Sequence, residues 1–155
     1  MKMINLQVKT FSLIGISVRT TNENGQSGID IPVLWNKFIS EGIVNQIPNK
    51  IDNTIYCLYT AYESDHTKPY TAVLGCKVSN MEKMPKEMTG LTINEGLYIK
   101  YSAKGNIMQG LVFDVWKKIW NSDIPRSFTA DFEVYGEKAQ NPENAEIDIF
   151  VAINS

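Results

Sequence analysis

The sequence predicts an α+β fold made of two tandem copies of one strand-helix-strand-strand unit, and three observations support this. Period-two alternation and runs of β-branched and aromatic residues mark strands. Helical periodicity marks residues 29–42 and 106–122. The order of these stretches in the first half of the chain returns in the second. A unit that cannot bury its apolar face alone must pack on its twin. This predicts an antiparallel sheet system, two main helices and a central cleft at the seam.

The first strand-like stretch runs from Leu6 to Arg19. In its second half Ile14, Ile16 and Val18 alternate with Gly15, Ser17 and Arg19. Gly25 and Gly28 punctuate the polar loop that follows. Asp30 then starts a helix, Pro32 suits its first turn, and Gly42 stops it. Leu34, Trp35, Phe38 and Ile39 fall on one face of that helix. Residues 54–63 and 70–79 are rich in strand-forming side chains and predict a hairpin across the polar loop 64–69.

A linker of about residues 80–90, with Met81, Met84 and Met88, separates half-repeats of about 1–80 and 90–155 within a single domain. The pattern then restarts. Residues 91–103 read as one strand with Leu91, Ile93, Glu95, Leu97, Ile99 and Tyr101 on one face. Residues 106–122 carry a wide helical stripe that includes Val115, Trp116, Ile119 and Trp120, and Pro125 lies just beyond it. Residues 127–136 and 145–153 are two further strands. Trp35 and Trp116 each lie on the helix of their half, and YTAYE at 59–63 echoes FTADFE at 128–133.

Composition narrows the function. At 155 residues, with 43% hydrophobic and 21% charged residues, the chain has the make-up of one globular domain. The net charge of −2 comes from interspersed acids and bases, so no direct nucleic acid contact is expected. No signal peptide and no membrane span are read, and the expected location is cytoplasmic. Cys57 and Cys76 sit in apolar runs and read as buried free thiols, with a disulfide as the alternative. His66 is the single histidine and reads as a solvated loop residue. A metal site and a nucleophile–histidine centre are therefore not expected, and no cofactor motif is present.

Several segments together carry a resemblance to a known family. They are FEVY at 132–135, EIDIFVAI at 146–153, VWKKIW at 115–120, IGISVRTTNEN at 14–24 and IPVLWNKF at 31–38. With the hairpin of residues 59–78, they resemble the effector-binding domain family, also called GyrI-like. This is the ligand-sensing domain of AraC-type and MerR-type regulators. The likeness is greatest to its stand-alone integron cassette branch and covers essentially the whole chain. One departure matters: the regulators place a DNA-reading helical domain ahead of this module, and none is read here. The resemblance implies a pocket for a lipophilic, often cationic, drug-like molecule, with Glu133 as the pocket carboxylate.

The residues themselves are compatible with that implication. On the strand 127–136, Thr129, Asp131, Glu133 and Tyr135 alternate with Phe128, Ala130, Phe132 and Val134. If the polar face is buried, its carboxylate needs a partner, which a cation would supply. The alternative is a wet outer face. Tyr135 flanks Glu133 on that face. Trp35 and Trp116 are either core residues or cleft walls related by the repeat. Tyr98 is a wall residue or a solvated strand residue. Tyr59 is a ligand-binding candidate that shares a face with Glu63 on the strand echoing that of Glu133, and Glu63 is a hairpin-end glutamate or a counterpart of Glu133. Glu146 belongs to the outer face or to the pocket.

Three functions follow. The first is a binding module for a lipophilic or cationic small molecule, working alone or with a separate regulator protein, as monomer or homodimer. The second is a hydrolase of activated small molecules with Glu133 as general base, assisted by Tyr135 or Tyr98. The third is a gyrase-inhibitor-like protein–protein inhibitor, which the mild charge does not favour.

Overall fold

The computed structural model describes residues 2–154. Its strands are β1 (Lys2–Val8), β2 (Phe11–Thr20), β3 (Ile55–Thr60), β4 (Tyr70–Val78), β5 (Thr89–Ile93), β6 (Gly96–Gly105), β7 (Ala130–Tyr135) and β8 (Ala145–Ala152). The helices are α1 (Ser27–Ser40) and α2 (Leu111–Trp120). All eight strands form one antiparallel sheet in the order β1-β6-β8-β7-β3-β4-β2-β5. Strands β2-β4-β3 and β6-β8-β7 are the two halves, and they meet at the β3–β7 pair.

The repeat has one strand more per half than the sequence reading gave. Residues 6–19 are two strands, broken at Lys9 and Thr10, and residues 91–103 are two strands, broken at Asn94 and Glu95. Glu95 therefore sits in a link and shares no strand face with Leu97 or Ile99. The extra strands are exchanged. β1 precedes β2 yet pairs with β6 of the other half, and β5 precedes β6 yet pairs with β2. The two links meet where Glu95 N–H donates to Thr10 Oγ1 at 3.0 Å, so the sheet curls until its ends touch. Curling encloses a small apolar core behind the sheet, where Phe11 of β2 packs edge-on against Phe132 of β7 at 5.3 Å.

The main core lies between the other sheet face and the helices. Ile14, Leu74 and Ile149 from the sheet are fully buried there with Phe38 and Ile119 from α1 and α2. α1 begins at Ser27, earlier than expected, which leaves Pro32 in its second turn; Gly42 (φ 59°) follows its end in the left-handed conformation. Ile39 is 68% exposed, so the buried stripe of α1 is Leu34 and Phe38, flanked by Ile31 and Trp35. The predicted linker is also more than a connector. Met88 is buried, and the sulfurs of Met81 and Met84 lie over Gly90, where an added Cβ would have to displace them. Cys57 and Cys76 are buried free thiols. Among the described residues, no helix is long and apolar enough to cross a membrane.

Candidate functional site

β7 is central in the sheet and buried on both faces. Its alternation sends Ala130 and Phe132 into the rear core and turns Asp131, Glu133 and Tyr135 towards the helices. There the two helices leave a cavity of about 520 Å³, within the range of small-molecule sites. Trp35 of α1, Trp116 of α2, Tyr59 of β3, Glu133 and Tyr135 all line it. Trp, Tyr and Phe supply eight of its twenty lining residues.

Glu133 is 2% exposed. Three aromatic donors converge on it: Tyr59 O–H reaches Oε2 at 2.6 Å, Trp116 Nε1–H reaches Oε2 at 2.7 Å, and Tyr135 O–H reaches Oε1 at 2.5 Å. A carboxylate has roughly four acceptor positions, so about one remains open. Among the described residues no cationic side chain is ion-paired with Glu133. Burial pushes its carboxyl above the ordinary carboxylate range, and the three donors oppose that shift without cancelling it. Trp35 packs edge-on against Tyr135 at 4.8 Å, and Tyr59 edge-on against Trp116 at 5.5 Å, which fixes the donors in place.

A second polar group lies beside the first. Asp131 is fully buried and accepts Ala152 N–H on Oδ1 at 2.8 Å, with Tyr62 O–H at 2.5 Å and Arg126 Nη2 at 2.8 Å on Oδ2. Burial raises its carboxyl as well, against the pull of Arg126.

Five of the residues singled out in the sequence, Glu133, Tyr135, Trp35, Trp116 and Tyr59, come together around this cavity. Two do not. Tyr98 points to the rear core because Ile99, Tyr101 and Ala103 take the helix face of β6. It is 2% exposed, packs on Phe132 at 5.5 Å and donates to the Ala130 carbonyl at 3.0 Å. Glu146 alternates with the buried Ile147 and Ile149, so it faces away from the helices, near Lys138 at 3.8 Å. Glu63 is exposed beyond the end of β3 and is not a counterpart of Glu133; Cys57 stands opposite Glu133 in the register.

His66 differs from its reading as a solvated residue. It lines the cavity and stacks on Trp120 at 5.6 Å, with 8° between the rings. Burial, helped by the charge of Arg126, lowers its pKa. Asp131 and Arg126 were not singled out. The strand alternation carried a signal for Asp131, whereas Arg126 lies between elements, where no period applies. Tyr98→Phe is expected to cost about 1 kcal/mol by urea denaturation, through the lost buried hydrogen bond, and to leave ligand binding within about twofold.

The chain is similar to known proteins over nearly its whole length. Residues 6–153 match the family model described as integron-associated effector binding protein. A Bacillus subtilis (strain 168) protein named "Putative transcriptional regulator protein YobU" is 28% identical, with 96% of this chain and 94% of that one covered. An integron cassette protein from the mobile metagenome of Vibrio cholerae is 30% identical, with a TM-score of 0.75 over 98% of this chain and 95% of that one. The protein SAV2435, solved bound to tetraphenylphosphonium, shares the fold with a TM-score of 0.80 at 18% identity, over 100% of this chain and 95% of that one.

Proposed function

The chain belongs to the integron-associated effector binding protein family, and from that premise we propose that it binds a lipophilic organic cation, with Glu133 as the counter-charge. The observation that carries this reading is a buried carboxylate, held by three aromatic donors, facing an aromatic cavity with no ion-paired protein cation among the described residues. An unpaired buried charge costs several kcal/mol. An organic cation recovers that cost. The rings of Trp35, Trp116 and Tyr135 add cation–π attraction of about 0.5–2 kcal/mol each. Apolar burial supplies the remainder. SAV2435, with the same fold, is solved with such a cation, and this supports the reading.

Hydrolysis with Glu133 as general base is less favoured by the same geometry. Its Oε2 already accepts two hydrogen bonds and its Oε1 one, so little lone-pair capacity is left to deprotonate water. The test is a titration with tetraphenylphosphonium followed by tryptophan fluorescence, since Trp35, Trp116 and Trp120 all line the cavity. Saturable quenching, retained in Tyr98→Phe and lost in Trp116→Ala, is expected. Quenching that never saturates would count against a built site.

A further inference from the structure

Arg126 lies across Trp116 from Glu133. The indole Nε1–H donates to Glu133 Oε2, while its ring sits 5.7 Å from the guanidinium carbon of Arg126. Phe128 packs against the same guanidinium at 4.3 Å, held in a left-handed backbone conformation (φ 55°) that is strained for an aromatic residue. The Arg126 side chain is only 6% exposed and lines the cavity.

Its charge is balanced but its hydrogen-bonding capacity is not. A guanidinium has five N–H donors. One nitrogen, Nη2, is used on Asp131. Nε and Nη1 are buried, and no protein group accepts from either. Asp131 cannot turn to serve them, because both its oxygens are already engaged by Ala152, Tyr62 and Nη2. Buried orphan donors are rare in folded proteins and call for an acceptor. His66 Nδ1, also on the cavity wall, is likewise without a protein partner.

We propose that the effector is bipolar: a lipophilic cation that also carries a neutral oxygen acceptor, such as an ester, amide or ketone, which takes one of the free donors of Arg126, Nε or Nη1. The acceptor is neutral because Asp131 already compensates Arg126, so a carboxylate there would leave an extra buried negative charge beside Glu133. This inference rests on the cation reading of Glu133 and adds a specificity determinant to it.

The test compares two probes: pentyltriphenylphosphonium, and its analogue with a methyl ester at the end of the alkyl chain. Both carry the same cation, and the flexible arm lets the ester reach. The wild type is expected to bind the ester about tenfold more tightly. Arg126→Lys keeps a cation for Asp131 but removes the Nε and Nη1 donors. It is expected to bring the two affinities within about twofold of each other. Equal affinities in the wild type would overturn the inference while leaving the cation reading intact, and that comparison decides even if the variant fails to fold. A preference that survives in Arg126→Lys would overturn it as well. Binding of neither probe would overturn the cation reading, and this inference with it.

Discussion

Replacing Glu133 by Gln is expected to raise the dissociation constant for tetraphenylphosphonium at least about thirty-fold, or ~2 kcal/mol, measured by fluorescence titration at pH 8. A neutral aryl compound of similar size, triphenylmethanol, should change by less than about threefold, since apolar burial is untouched. The substitution is well suited to the site. The amide oxygen can accept from Tyr59 and Trp116 as Oε2 does now, and the amide NH₂ can donate to the Tyr135 hydroxyl. Equal weakening of both compounds would mean that Glu133 shapes the cavity and does not pair with charge.

The same residue predicts a pH dependence. Burial holds the folded Glu133 pKa above its ordinary value of 4.5. A permanent cation binds the ionised form, so its affinity should rise with pH up to the raised value and level off above it. Triphenylmethanol should show no such rise. Stability runs the other way. The native state holds the Glu133 proton more tightly than the unfolded chain does, so ionisation of this group lowers stability as pH rises from 4.5 through the raised folded value. Glu133→Gln escapes this loss and should melt higher than the wild type at pH 8, with the gap closing below the ordinary value of 4.5. A variant that both binds less and melts higher would show that the buried charge is maintained for its ligand and not for the fold.

Particular residues show what could be read from the sequence. The period-two run on β7 placed Asp131, Glu133 and Tyr135 on one face, and the structure keeps them there because a sheet side-chain period of two leaves no other choice. Trp35 and Trp116 were legible as related helix positions. The strand exchange was not. β1 does not pair with β2, so the link at Lys9 and Thr10 is no hairpin and needs no glycine or proline to mark it; the link at Asn94 and Glu95 is likewise not a hairpin turn between paired strands. Tyr98 reads from the sequence as a cavity wall or a solvated strand residue, and it is neither, because curling adds a second core behind the sheet that takes its ring. Arg126 left no trace in any pattern. Its partner Asp131 is five residues on, across a break between coil and strand, and only the folded backbone brings them together.

The largest effect on folding is expected at Gly15. It stands directly opposite Gly75 in the β2–β4 register, in the interior of two strands where glycine is otherwise unfavourable. A Cβ on Gly15 would lie 1.9 Å from the Leu74 carbonyl oxygen, and one on Gly75 would lie 2.2 Å from the Ile14 carbonyl oxygen. Both obstacles are backbone, so no side-chain rotation relieves them. Gly15→Ala must push β2 away from β4, with a cost of about 3 kcal/mol or more, and the melting temperature should fall by roughly 10 °C. Gly28→Ala is the control. Gly28 lies in the first turn of α1 with nothing within 4 Å of its added Cβ, so helix propensity alone acts and stability should rise by about 0.5 kcal/mol. The consequence at Gly15 reaches the site through the sheet. β2 carries Phe11 onto Phe132, the rear neighbour of Glu133 on β7, so a displaced β2 loosens the support behind the carboxylate. Gly15→Ala protein that remains folded at low temperature should therefore bind tetraphenylphosphonium more weakly although no residue of the cavity has changed. Unchanged affinity together with a lowered melting temperature would confine the role of the glycine pair to stability.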